Sequence, residues 1–228
     1  MKVSWKTELP LLILIAGMFA GALLTWPVAP DRIPVHWGIT GEPNGWGGRF
    51  QGLLIPPITA LGLYLAMLLM PLLDPGRMNY ERFSGAYYTM RAAVVALMAV
   101  IDGVTIATIR GLPVDVPRMV ALSVGIVFFV FGNVLGKVRP NWFVGVRTPW
   151  TLSSKRSWTR THRLAGWVFV CGGVAMMIAG LVQTPFAVAG AVTVLLGGIL
   201  GTVVYSYFIW KGDPDRIPPA GTLPSNGV

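Results

Sequence analysis

Apolar residues dominate the chain in six long runs, which shorter polar segments rich in Lys, Arg, Gly and Pro separate. Each run is close to the length of about 20 residues that an α-helix needs to cross a hydrocarbon core of roughly 30 Å. The pattern therefore predicts an all-α membrane protein, a bundle of six transmembrane helices. The predicted spans lie near 8–26, 52–73, 88–109, 117–136, 164–182 and 186–210.

The first run follows Lys2 and Lys6, as a signal peptide would, but its apolar part continues to Trp26. That is longer than the apolar region of about 7–15 residues in a typical signal peptide, so we expect a retained helix. Glycines four residues apart let helix backbones approach closely, and three pairs predict helix contacts. The pairs are Gly17 with Gly21, Gly132 with Gly136, and Gly197 with Gly201.

Composition supports a membrane protein, since 54% of the residues are hydrophobic and only 12% are charged, against about a quarter charged in soluble domains. The net charge of +9 is better explained by lipid than by nucleic acid, so we expect anionic head groups of the bilayer as a partner and no direct nucleic-acid contact. Cys171 is the single cysteine and forms no internal disulfide. The sequence holds no metal-ligand, phosphate-loop or catalytic spacing, so we predict no catalytic residue, metal or cofactor.

The distribution of the cations predicts a multi-pass protein of the cell membrane with both termini in the cytoplasm. Six crossings put 14 of the 18 Lys and Arg residues on the side of the termini and four on the other side, and cytoplasmic segments carry the excess of positive charge. The 14 are Lys2, Lys6, Arg77, Arg82, Arg91, Lys137, Arg139, Arg147, Lys155, Arg156, Arg160, Arg163, Lys211 and Arg216.

We divide the chain into two three-helix halves and a tail. Residues 1–110 form the N-terminal half with an extracellular loop at 27–51. Residues 111–210 form the C-terminal half with a basic cytoplasmic loop at 137–163, and residues 211–228 form a cytoplasmic tail that we expect to be disordered.

The extracellular loop is rich in Pro and Gly, and it predicts a short hairpin with residues 33–37 as one arm and Asn44-Gly45 as the turn. Tryptophan at this position fits the level of the lipid head groups. His36 is expected as a hydrogen-bonding residue rather than a metal ligand, since zinc needs at least three protein ligands. The candidate residues of the loop are His36, Trp37, Glu42, Asn44 and Trp46.

Asp102 interrupts the third apolar run, on the order of 10 Å below the extracellular end of the helix. An ionised carboxylate is costly at that depth, so an intramembrane acid is a functional hypothesis by default. The structural alternative is pairing with Arg32 or Arg49, or with backbone amides of the loop, and both alternatives stay open.

The stretch 131–164 lies between two apolar runs and interleaves seven cations and three tryptophans with Asn, Gly, Thr and Pro, without an acid. Pro140 predicts the end of a helix and Gly145 a tight turn, while Thr151 or Ser153 is expected to cap a helix that runs into the fifth span. Tryptophans here fit an interfacial position, the arginines fit phosphate groups, and Asn133 is expected to tether the loop. The candidates are Asn133, Lys137, Asn141, Arg147, Thr148, Trp150, Trp158, His162 and Arg163.

Two patterns carry a family resemblance. The segment from Gly132 to Leu152, GNVLGKVRPNWFVGVRTPWTL, followed by the W-x-x-T-H-R of Trp158 to Arg163, resembles the signature of the SdpI family of bacterial immunity membrane proteins. The loop pattern from Pro30 to Gly47 is similar to a bacterial membrane domain of unknown function. The resemblance implies protection against a secreted membrane-active peptide toxin, and signalling in which a small cytoplasmic repressor is held at the membrane.

We therefore expect a toxin-immunity and signalling protein rather than an enzyme. The toxin would be met outside, and a cytoplasmic repressor or lipid would meet the basic loop. The alternative is a small transporter or lipid-handling protein that uses Asp102 and the arginines of the inner loop. An intramembrane enzyme with His36 or His162 as base is a third reading, which no nucleophile spacing supports.

Overall fold

The computed structural model of the 228-residue chain describes residues 4–38 and 41–217. Within these residues six helices are long and apolar enough to cross a membrane, which confirms the predicted bundle. A short helix, α5, precedes the fifth of them. The helices are α1 (Trp5–Thr25), α2 (Ile55–Leu73), α3 (Ser84–Ile109), α4 (Val116–Leu135), α5 (Pro149–Leu152), α6 (Lys155–Val182) and α7 (Pro185–Lys211).

Polar side chains fix where several helices begin. The side chains of Ser4, Asp115 and Thr184 accept hydrogen bonds from backbone N–H groups in the first turns of α1, α4 and α7, groups that have no partner inside the helix. Ser154 caps α6 in the same way. The prediction that Thr151 or Ser153 caps this helix is therefore wrong by one to three residues, and α6 begins at Lys155 and continues through the predicted span at 164–182.

The predicted hairpin forms between α1 and α2. Strand β1 (Ile33–Trp37) pairs antiparallel with β2 (Pro43–Gly47), so the expected arm at 33–37 is confirmed. The predicted turn is wrong, because Asn44 and Gly45 lie within β2. The chain reverses before β2, where Gly41 has a φ of 88° that favours glycine. A π-helical turn, Phe50–Leu54, then leads into α2.

Glycines hold α4 against α6, and this helix pair has the most extensive contact in the molecule. A Cβ atom on Gly132 would lie 2.6 Å from the carbonyl oxygen of Gly166, so the two backbones touch. In contrast, a Cβ atom on Gly17, Gly197 or Gly201 would meet nothing within 4 Å. The prediction that these three glycines make helix contacts is wrong.

The helices form two packed groups with different surfaces at the two ends of the bundle. Helix α3 packs against α1 and α2, helix α6 packs against α4 and α7, and contact between α3 and α4 joins the groups. The end that carries β1 and β2 is the hairpin end. The opposite end, with residues 74–83, 136–154 and 212–217, is the signature-loop end.

The chain after α7 returns to the signature-loop end. The Ser154 hydroxyl donates to Asp213 Oδ2 at 2.5 Å, and the Ile217 amide donates to the Ser153 carbonyl at 2.9 Å. The hydrogen bond from Ser154 lowers the pKa of the Asp213 carboxyl. Residues 218–228 lie outside the described residues, so disorder of the tail stays a prediction.

Candidate functional site

Asn141 gives the signature loop its shape. Its side chain is 2% exposed, and its Oδ1 accepts from the amides of Phe143 and Val144 at 2.9 and 2.6 Å. Its Nδ2 donates to the carbonyls of Arg139 and Val144 at 2.8 and 3.1 Å. Because both atoms of the amide are used, the segment from 139 to 144 is wrapped around one buried side chain.

The connection between α2 and α3 holds this loop from the other half of the chain. The Asp74 carboxylate accepts from the Trp142 amide at 3.0 Å, from the Gly76 amide at 2.6 Å and from the Tyr80 hydroxyl at 2.8 Å. The Asn79 side chain donates to the Pro140 carbonyl at 2.7 Å. The loop is therefore docked on both halves rather than suspended from two helices. Sequence reasoning missed Asp74, although Asp-Pro-Gly at the end of a span is a strong turn signal.

His162 lies beneath the loop and uses both ring nitrogens. Nε2 accepts from the Val146 amide at 3.1 Å, so Nδ1 carries the proton and donates to the Trp158 carbonyl at 2.8 Å. The Trp158 ring stacks on the imidazole at 4.1 Å, and its Nε1 donates to the Val138 carbonyl at 2.9 Å. Trp158 is only 1% exposed, so its predicted interfacial position is wrong. Gly145 passes so close that a Cβ atom would lie 2.1 Å from Nε2.

Hydroxyl groups connect the loop to α7. Thr148 and Thr151 form a reciprocal capping box that starts α5. Thr151 Oγ1 also donates to the Val146 carbonyl at 2.9 Å, while the hydroxyls of Thr148 and Ser206 lie 3.1 Å apart. Trp150 packs edge-to-face on Tyr207 of α7, with ring centroids 5.3 Å apart.

The remaining candidates of the loop point outward. Arg147 Nη1 donates to the Trp142 carbonyl at 2.5 Å, and Lys137 and Arg163 are exposed. Asn133 donates to the Phe129 carbonyl of its own helix at 2.7 Å, so the prediction that it tethers the loop is wrong. The loop thus has a rigid polar interior and a cationic exterior.

At the hairpin end, side chains connect the two strands. His36 Nδ1 is hydrogen-bonded to Asn44 Oδ1 across the hairpin, which confirms the expected hydrogen-bonding role. The Arg32 guanidinium lies 5.7 Å above the centre of the Trp46 ring, which is half exposed. The Glu42 side chain, immediately before β2, is exposed.

A groove lies between the hairpin and the helices beside it. It consists of two adjoining cavities of about 410 and 550 Å³, which share Trp37, Val116, Pro117, Ala121 and Val188. The larger cavity is lined mainly by apolar side chains together with His36. In the smaller one, Gln183 is hydrogen-bonded to both Asp115 and Arg118, so the α3–α4 and α6–α7 connections meet here. We call this surface the hairpin groove.

Asp102 is 2% exposed, and its Oδ1 has no hydrogen-bond partner among the described residues. Neither expected arginine reaches it. Arg49 pairs with Asp31 at 3.1 Å, and Arg32 stacks on Trp46. The structural alternative of pairing with these arginines is therefore wrong.

A second buried charged group was missed. Arg91 Nη2 of α3 donates to Glu8 Oε1 of α1 at 2.5 Å, and the Tyr64 hydroxyl of α2 donates to Glu8 Oε2 at 2.9 Å. The Arg91 and Glu8 side chains are 1% and 7% exposed. Both residues lie inside predicted spans. An acid in one apolar run and a base in another was the sequence signal that could have predicted this buried ion pair. We call these three residues the buried triad.

The described residues bring together no group of three or more His, Cys, Asp or Glu side chains that would hold a metal ion. Both His162 nitrogens are engaged by backbone groups, so a role as base would require breaking the contact that positions the loop.

Both halves of the chain match known protein families. The SdpI/YfhL protein family matches residues 137–208, and a domain of unknown function, DUF1648, matches residues 12–61. The chain is similar to the Immunity protein SdpI of Bacillus subtilis, with 22% identity over 207 residues that cover 90% of this chain and 97% of that protein. An uncharacterized protein of Archaeoglobus fulgidus is 36% identical over 50 residues, 22% of this chain and 27% of that protein. No solved structure matches the chain.

Proposed function

We propose that this multi-pass membrane protein of the SdpI family is an immunity protein, which protects the cell membrane against a membrane-active peptide toxin. The observation that carries the proposal is the similarity to the Immunity protein SdpI along 90% of the chain, from the hairpin half to the signature-loop half. Two shaped surfaces at opposite ends of one bundle support it, since a protein that only anchors itself in lipid needs neither.

We propose that the hairpin end is extracellular and the signature-loop end is cytoplasmic. The excess of cations on the side of the signature loop supports this orientation, because cytoplasmic loops retain Lys and Arg. A toxin that arrives from outside would then meet the hairpin before it meets the rest of the protein.

The hairpin groove is the surface we propose for contact with the toxin. Its larger cavity offers apolar walls beside His36 and Trp37, which suits the apolar face of a membrane-active peptide. The groove is bounded by the hairpin on one side and by α4 on the other, so a bound peptide would contact both.

The signature loop is the surface we propose for a cytoplasmic partner, either a repressor protein or anionic lipid head groups. The loop is held rigidly by Asn141 and His162. The cationic side chains of Lys137, Arg147 and Arg163 face outward. A rigid cationic surface loses little entropy when an acidic partner binds.

A second candidate function, a small transporter or lipid-handling protein, is favoured by Asp102. This carboxyl group is buried within a span and its Oδ1 lacks a partner among the described residues, three helical turns from Arg91 on the same helix. If the protein is a transporter, we expect proton-coupled uptake of its substrate into liposomes that contain the wild type, and no such uptake with Asp102→Asn. Uptake by Asp102→Asn equal to that of the wild type would contradict the transporter function.

Complementation separates the proposed tasks of the two ends. The gene is deleted in the strain that carries it, and the deletion strain receives a plasmid copy of the wild type, His36→Ala or Arg147→Ala. These cells are then challenged with spent medium of the undeleted parent strain. We expect His36→Ala to lower survival and Arg147→Ala to leave survival unchanged while it alters the transcriptional response.

The matched control is Arg32→Gln, which changes an exposed hairpin side chain outside the groove. Membrane levels of all variants are measured by immunoblot. If every variant protects as well as the wild type does, the assignment of the toxin contact to the hairpin groove is wrong.

A further inference from the structure

We propose that a cavity at the signature-loop end binds a phosphate group, carried by an acidic phospholipid or by a small soluble phosphate compound. The cavity has a volume of about 500 Å³ and lies where the beginning of α3 meets the end of α4 and the first turns of α6. We call it the junction cavity. Its cationic lining residues are Arg82, Lys137, Arg139 and Arg163. The proposal does not depend on the immunity function.

The four cationic side chains of the junction cavity are accessible to an anion. All four side chains are exposed, and none forms an ion pair or a side-chain hydrogen bond with another described residue. One acid, Glu81, also lines the cavity, and it already has an interaction of its own. Four positive charges against one engaged carboxylate leave a strongly positive cavity, which attracts an anion.

The chemistry of the lining fits phosphate better than a single carboxylate. Arginine presents planar N–H groups that match phosphate oxygens in pairs, and lysine adds a point charge. The hydroxyl-bearing side chains of Ser84 and Thr159 lie in the same lining. The Arg163 side chain lies beside Gly136 in this lining, since a Cβ atom on Gly136 would be in ordinary van der Waals contact with Arg163 Cγ, at 3.7 Å.

The position of the cavity favours a lipid head group as the source of the phosphate. Trp167 follows Arg163 by one turn on α6, so the two side chains share a helix face, and Trp167 is 70% exposed. Exposed tryptophan beside a cation is typical of the boundary between head groups and acyl chains. A lipid phosphate in the cavity would place its acyl chains along this apolar face.

The walls of the cavity come from both groups of helices. Arg82 lies two residues before Ser84, the first residue of α3. Lys137 and Arg139 follow α4, and Arg163 belongs to α6. A phosphate that contacts both walls would therefore link the groups at this end, so binding should raise the thermal stability of the protein.

Titration of the full-length protein in a neutral detergent tests the proposal. The probes are short-chain phosphatidylglycerol, short-chain phosphatidylcholine and inorganic phosphate, and the readouts are isothermal calorimetry and the unfolding temperature. We expect saturable binding of phosphatidylglycerol with a rise in unfolding temperature. Lys137→Gln with Arg163→Gln should weaken this binding by about tenfold or more, since each interfacial cation contributes about fivefold.

The matched control is Lys6→Gln with Lys211→Gln, which removes the same charge from exposed positions outside the cavity. Arg82→Gln with Arg139→Gln repeats the test from the opposite wall if the first pair of substitutions impairs folding. Binding of phosphatidylglycerol alone supports a lipid head group, and binding of inorganic phosphate that the cavity variants lose supports a soluble source. The proposal is overturned if no probe saturates, if phosphatidylcholine binds as tightly as phosphatidylglycerol, or if the control loses as much affinity as the cavity variants.

Discussion

His162 shows what the sequence predicts and what it leaves open at the scale of one residue. The spacing of Trp158 and His162 predicts a shared helix face, and their stacked rings confirm it. The partners of the ring nitrogens, however, come from 16 residues earlier in the chain and from the preceding helical turn. A sequence pattern gives no information on such contacts, so Trp158 was predicted at the interface although its N–H is satisfied in the interior.

Gly145 gives a test of this arrangement. We expect Gly145→Ala to destabilise the protein by about 2 kcal/mol or more, because φ is +106° and the new Cβ atom would meet His162 Nε2. Thermal unfolding in detergent measures the change. Gly85→Ala is the control, since its Cβ atom would meet nothing within 4 Å in α3, and an unfolding temperature for Gly145→Ala equal to that control would contradict the described packing.

At the scale of the element, hydropathy predicted the spans well because each has a long apolar run. It failed at the start of α6, where polar residues from Lys155 to Arg163 continue the helix into the signature-loop end. Ser157, Thr161 and His162 are buried there, so polar atoms replace apolar ones on the packed face. A helix segment whose packed face carries polar side chains is not recognised by a search for apolar periodicity.

The buried triad predicts strong coupling between α1 and α3. Glu8→Gln or Arg91→Met alone should cost about 3–5 kcal/mol, because each leaves an uncompensated buried charge. The double variant should cost less than the sum of the two by about 1 kcal/mol or more.

Unfolding in detergent measures this cycle. Asp31→Asn, which breaks the ion pair with Arg49 at a side chain that is 93% exposed, is the control and should cost about 1 kcal/mol or less. Additive costs in the Glu8 and Arg91 cycle would show that the two side chains do not stabilise one another.

At the scale of the whole molecule, the orientation rests on charge and calls for a direct test. In a Cys171→Ser background, we expect Glu42→Cys to react with a membrane-impermeant maleimide in intact cells, because the proposed orientation puts the hairpin end outside. Arg160→Cys, on the exposed face of α6 at the other end, should react only after lysis. Labelling of Arg160→Cys in intact cells, with Glu42→Cys protected, would reverse the orientation.

The resemblance to the SdpI family could be predicted from the two loops, since their residue patterns are specific, and the model of that family matches residues 137–208. The way in which the loops are held could not be predicted. Asp74 binds the signature loop across 68 residues of chain, and the hairpin groove forms only because α4 lies beside β1. Both features depend on packing between distant segments, which no local pattern encodes.

Protection of the membrane is tested most directly by the membrane potential of source cells that lack the gene. A potential-sensitive dye would follow these cells in spent medium of the parent strain, with and without a plasmid copy of the wild type. Immunity predicts that the deletion strain loses its potential and that the plasmid restores it to the level of the parent. A deletion strain that keeps its potential as the parent does, in medium shown to depolarise an unrelated sensitive strain, would contradict the proposed function.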